Sequence, residues 1–185
     1  MRRFSALVSM VAVVLLGQVA TSGTQSAAQE ATPAAGPNFI VGQLAPIGER
    51  FELIPGIDVE FLNQTEAPAA PGQTLVLYRV IVRGGEVPWH MHPGTTLLTV
   101  ESGTFRSVVQ TGRAWVTRPG AAPEQVTDPG TEIVLKPGEG LSYSADVVHN
   151  ASVVGDEPAS VVLASLLETG QPLFTLTNEH GTPAP

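Results

Sequence analysis

The sequence predicts an all-β chain folded as an antiparallel barrel or sandwich, on three observations. Short runs alternate apolar and polar residues, the period-two signature of a half-buried strand. Gly- and Pro-rich turns separate those runs at regular spacing, as antiparallel barrels and sandwiches require. No stretch beyond the leader shows a convincing helical period; residues 159–167 alone are ambiguous, being apolar throughout.

Taken in order, residues 39–62 hold short alternations such as Phe51-Glu52-Leu53-Ile54 and Ile57-Asp58-Val59-Glu60-Phe61. Residues 68–72 are a Pro/Gly/Ala turn. Residues 73–83 are strongly β-like and stop at Gly84-Gly85. A histidine-bearing run follows, then strands over 95–100 and 104–110 divided by a turn at Glu101-Ser102-Gly103. Residues 113–117 read as a strand and 118–130 as a loop. Residues 131–135, 141–144, 149–154, 159–167 and 173–177 complete the ladder. The expected organisation is therefore one barrel domain over 39–177, with a disordered linker at 29–38 and a disordered tail at 178–185.

Composition excludes several functions. Of 185 residues, 17 are acidic and 9 basic, with a single lysine, Lys136, and a formal charge of −8. A nucleic-acid surface would be basic, so no nucleic-acid partner is expected. Without cysteine there is no disulfide, thiol catalysis, Cys-ligated metal or lipid-anchored cysteine.

At the N-terminus, Met1-Arg2-Arg3 precedes an apolar run over 6–20, and Ser26-Ala27-Ala28 forms a small-x-small site before Gln29. This pattern predicts a signal peptide over 1–28 cleaved after Ala28. The run is short for a bilayer span of about 20 residues, so no membrane association is expected once it is removed. The destination is secreted or periplasmic, by the general or the twin-arginine route.

The stretch carrying chemistry is Gly84-Gly85-Glu86-Val87-Pro88-Trp89-His90-Met91-His92-Pro93-Gly94-Thr95-Thr96. On a strand, His90 and His92 share one face, about 6.6 Å apart along the chain, while Trp89 and Met91 take the other. Two such imidazoles share a metal if a third ligand arrives from a neighbouring strand. His149 follows a Gly/Pro turn and opens a strand; His180 lies in the polar tail. Trp89 and Trp115 read as packing residues, and Arg79, Arg83, Arg106 and Arg113 as strand-face charges.

These residues carry a resemblance to the single-domain cupins. The family's first motif runs Gly, five residues, His-x-His, three or four residues, Glu, six residues, Gly. Gly84, His90, His92 and Gly103 fall in place. In its second motif, Gly138 and His149 match, while Ser144, Asp146 and Val153 replace the usual Pro, Gly and Asn. The resemblance covers residues 73–167. It implies a single antiparallel jelly-roll β-barrel with a divalent metal inside, held here by His90, His92 and His149.

The chain departs from the motif at the glutamate, whose place falls on Thr96 with a three-residue gap or Leu97 with a four-residue gap, and the distance to Gly103 favours Thr96. Parity agrees, since 90, 92 and 96 share a face of an unbulged strand. Glu101 has the wrong parity, and Glu86 lies upstream. Three neutral imidazoles without a hard anionic oxygen shift preference toward zinc, copper or iron and away from manganese. Thr96 then serves as a hydrogen-bonding neighbour of the site, and Tyr143 as a pocket wall near His149. Two functions follow: a non-catalytic protein binding metal or a small-molecule ligand, or a metal-dependent oxygenase or isomerase/hydrolase. A homodimer is compatible with either. An acid or base facing the histidines would favour the enzyme, and purely apolar walls the binder.

Overall fold

The computed structural model describes residues 39–184, and the expected signal peptide and linker lie outside them. Among the described residues, thirteen strands follow in chain order: β1 (Arg50–Ile54), β2 (Ile57–Glu66), β3 (Gln73–Val82), β4 (Glu86–Met91), β5 (Gly94–Ser102), β6 (Phe105–Val109), β7 (Ala114–Thr117), β8 (Glu124–Val126), β9 (Thr131–Leu135), β10 (Gly140–Tyr143), β11 (His149–Val153), β12 (Ala159–Glu168) and β13 (Thr175–Leu176). They form two antiparallel sheets of a jelly-roll fold, ordered β1-β2-β3-β12-β5-β10-β7-β8 and β13-β4-β11-β6-β9.

Alternation decides what lies between the sheets. Val76, Tyr78 and Val82 of β3 point inward, while Leu75 and Leu77 are exposed. Residues 159–167, ambiguous in sequence, form β12, with Ala159, Val161, Leu163, Ser165 and Leu167 facing in. Phe105, Val109, Ile133 and Leu135 close the core from the other sheet. Burying each such aliphatic or aromatic side chain contributes roughly 1.5–3 kcal/mol.

The chain passes from one sheet to the other at places that matter for the site. It crosses between β4 and β5 at His92-Pro93, and between β10 and β11 over residues 144–148. It crosses again at Gly103, whose φ is +73°. A Cβ there would lie 2.4 Å from the Pro158 carbonyl oxygen and 2.7 Å from the Ala159 Cα. Gly84, by contrast, has open space around it and no positive φ.

One expectation is corrected. Residues 118–130 are not all loop, because β8 pairs with β7 through Ala114↔Val126. This edge strand is largely exposed, so it carries no apolar alternation to announce it. The tail over 178–184 turns at Glu179-His180. It folds back through a Thr177↔Pro183 bridge, and the Ala184 amide donates to the Leu176 carbonyl. Its polar composition hides bonds that are made by backbone alone.

Gly103→Ala should lower unfolding free energy by about 1–3 kcal/mol, through backbone strain and collision with β12. Gly84→Ala should stay within about 0.5 kcal/mol of the parent. Urea denaturation of both variants checks this; equal effects would mean that the close approach at Gly103 is absent.

Candidate metal centre

Pairing between β11 and β4 sets His149 directly opposite His90. Two residues on, Ala151 faces Val87 rather than residue 88, so β4 carries a bulge between Val87 and His90. The extra residue turns both Val87 and His90 toward the interior, where alternation alone would have separated them. Pro88, which has no N–H to offer a ladder, falls within this bulge. Its carbonyl is 2.7 Å from His90 Nδ1.

His92 lies just past the end of β4, at the crossing into β5. Its Nδ1 is 3.0 Å from the Leu173 carbonyl. A carbonyl can only accept, so in both rings Nδ1 carries the proton and Nε2 is left bare. Backbone partners of this kind set a ligand's tautomer and ring orientation.

All three rings are buried, at 6%, 6% and 2% exposure for His90, His92 and His149. One nitrogen from each lies within 4.8 Å of the others. Ring centroids are 5.1 Å apart for His90–His92, 4.1 Å for His90–His149 and 5.5 Å for His92–His149. Desolvation drives the His90 pKa down to about 4. It drives His92 down to about 3, with the neighbouring His90 adding to the effect. His149 is likewise pushed well below the usual range, by burial first and then by His90 and His92. The rings are therefore neutral at pH 7, the state in which imidazole binds metal.

His149 Nδ1 is buried without a well-formed hydrogen bond among the described residues. An unpartnered buried polar atom is costly, and a bound cation is one way to satisfy it. Two nitrogens at metal distance from one tetrahedral ion sit about 3.4 Å apart, within the spread observed here. The donor set fits a metal.

The remaining expected residues take different places. Thr96, fully buried on β5, sits opposite Tyr143 of β10 and Ser165 of β12. Its hydroxyl bonds Ser165 Oγ at 2.9 Å, and Ser165 Oγ is 3.2 Å from the Tyr78 hydroxyl. The position where the resemblance places a glutamate is thus tied into a neutral chain of three hydroxyls. Tyr143 packs on His149 at 4.3 Å and on His92 at 5.8 Å between centroids. Glu101 pairs with Arg79 and accepts from Ser160, away from the triad. Glu86 is exposed and accepts from Asn150 Nδ2 at 2.7 Å. His180 lies in an exposed turn beside Glu179.

Sequence reasoning missed Phe174, whose ring sits 5.5 Å from His90 and 6.5 Å from His92. It also missed the Leu173 carbonyl, which no side-chain pattern can show. Ser165 did leave a signal, as the one hydroxyl on the inward parity of β12.

A cavity of about 60 Å³ adjoins the triad. Its walls include Leu98, Phe105, Val161 and Leu163, together with Tyr78 and Tyr143. No aspartate, glutamate, lysine or arginine lines it.

No protein-family model and no curated protein matches the chain. Solved structures do. KdgF from Halomonas sp. is 18% identical, over 70% of this chain and 93% of that one, with a TM-score of 0.45. An oxalate oxidase is 19% identical, over 66% of this chain and 55% of that one, at 0.43. Salicylate 1,2-dioxygenase from Pseudoaminobacter salicylatoxidans is 16% identical, over 61% of this chain and 26% of that one, at 0.41.

Proposed function

We propose that this chain is an exported, cupin-like protein that holds a divalent transition metal inside its barrel through His90, His92 and His149. The observation that carries the reading is the convergence of three buried, neutral imidazoles, two of them held with Nε2 bare by backbone carbonyls. An all-nitrogen, uncharged donor set suits zinc, copper or iron(II) better than manganese. Such a metal would supply Lewis acidity to a water or small ligand beside it.

A binding role is favoured over catalysis. Besides the triad, the cavity's ionisable groups are Tyr78, pushed up to about 12 by burial, and Tyr143, also pushed well up by burial. Neither exchanges a proton near neutral pH, so the walls offer no general acid or base. The second reading, a metal-dependent oxygenase or isomerase/hydrolase, is supported by the open volume beside the three nitrogens. The leader sequence supports an extracytoplasmic location. N-terminal sequencing of exported protein should begin at Gln29.

Calorimetry of zinc binding tests the centre. His149→Ala should weaken binding by more than about 100-fold, beyond the loss of an outer partner. His180→Ala should leave it unchanged. Equal zinc affinity in His149→Ala and the parent would remove the triad as the site.

Thr96→Glu returns a hard anionic oxygen to the interior. Manganese affinity should rise at least about tenfold over the parent. The metal-free variant should melt earlier than the parent, because its buried carboxylate lacks a counter-charge. Unchanged manganese affinity would mean that position 96 does not reach the metal.

Metal-free protein should also lose stability in acid. The folded rings titrate below 6.5, His90 near 4 and His92 near 3, so between those values and 6.5 the unfolded chain binds more protons. Stability from neutral burial is complete above pH 6.5 and falls as pH drops toward 4. The limit is about 1.4 kcal/mol per pH unit for each ring that stays neutral. Urea midpoints of chelator-treated protein from pH 7.5 to 4.5 measure this. A flat profile would show the rings to be solvated.

A further inference from the structure

We propose that the cavity beside His90, His92 and His149 takes a small, uncharged, largely apolar molecule with one polar atom, and turns away anions that carry a second charged group. The polar end of that ligand rests on the metal reading above; the apolar end rests on the walls alone.

The cavity's polar residues are the three histidines and two tyrosines. Tyr78 already shares its hydroxyl with Ser165. The other lining residues are apolar, and so is the rim, where Leu53, Val80, Val87 and Phe174 are only half buried. A charged group entering past that rim would lose its hydration and meet no fixed counter-charge.

The lysines and arginines among the described residues are all elsewhere. Arg79 binds Glu60 and Glu101, and Arg83 binds Glu52 and Asp58. Arg106 pairs with Glu132, Arg118 with Glu124 and Glu139, and Arg50 with Glu60. Arg113 and Lys136 are exposed and do not line the cavity. These seven are all the lysines and arginines among the described residues. A bound divalent ion would be the cavity's sole positive charge, enough for one donor atom placed on it and for nothing at the far end of a longer ligand.

Size narrows the class further. About 60 Å³ is well below the 150 Å³ of an apolar cavity that admits benzene. The enclosed part therefore takes a compact fragment of a few non-hydrogen atoms, and the rest of a ligand reaches the apolar rim.

Two arms on the full chain test this. In the first, metal-free protein is equilibrated with xenon, and methyl resonances of Val80, Leu98 and Val161 are followed by NMR. Saturable shifts at these methyls are expected. Their absence would overturn the apolar cavity whatever the metal does. In the second, cobalt(II)-loaded protein is titrated with 2-methyl-1-propanethiol and with mercaptoacetate, near-isosteric thiols differing in charge, and the visible bands are read. The neutral thiol should bind at least tenfold more tightly. Chelation through the carboxylate would favour mercaptoacetate, so the comparison is weighted against the proposal. Equal or tighter binding of mercaptoacetate would overturn it, as would failure of the neutral thiol to perturb the bands. Failure of cobalt itself to bind would sink the metal reading and leave the xenon arm to decide the cavity.

Discussion

Burying three imidazoles together in an apolar interior is the constraint on which the rest of this barrel depends. Each ring must stay neutral, because a charged imidazolium would be stranded without solvent. Each N–H must also find an acceptor, and in a β interior the free acceptors are few, since most carbonyls are spent on ladders. The fold solves this twice by interrupting a ladder. A bulge at the start of the histidine run frees the Pro88 carbonyl for His90. The chain leading into β13 presents the Leu173 carbonyl to His92. His149 opens β11 between β4 and β6, and its Nδ1 lies near the Val147 backbone without a well-formed hydrogen bond.

The second consequence is electrostatic. With a threonine where the family resemblance places a carboxylate, the interior holds no fixed charge near the triad. Thr96, Ser165 and Tyr78 satisfy one another in a row across three strands, so the position is filled by neutral hydrogen bonds. Replacing an anion by such a chain removes the need for a counter-ion. Among the described residues, acidic side chains pair with arginines on the outward faces. Sharp separation of a charged exterior from an uncharged interior selects what can enter.

The element that completes the site is also slight. β13 has two residues, and it pairs with β4 at Thr175↔Met91 and Leu176↔His90. The same short segment supplies the His92 acceptor and places Phe174 against two of the three rings. Short edge segments with few backbone bonds open at low free energy compared with a ten-residue central strand such as β12. Ring orientation at His92 is therefore tied to the order of the C-terminal segment.

Much of this was legible in the residues themselves. Alternation announced β3, β5 and β9, and Gly/Pro turns set their ends, because a strand with one buried face must alternate. The pairing of His90 with His92 was visible as an i, i+2 spacing, and the strand-opening place of His149 as a turn followed by an apolar run. Parity also separated Thr96 from Glu101, which the sheet then placed on opposite faces. Other features depend on contacts distant in sequence, and only the tertiary structure decided them. The register that sets His149 against His90 joins residues 59 apart in the chain. The Leu173 carbonyl reaches His92 across 81 positions, and a backbone acceptor has no side-chain signature. The bulge at Pro88 broke the simple parity that would have turned Val87 away from the cavity, and β8 formed from polar residues because an exposed edge strand needs no apolar face.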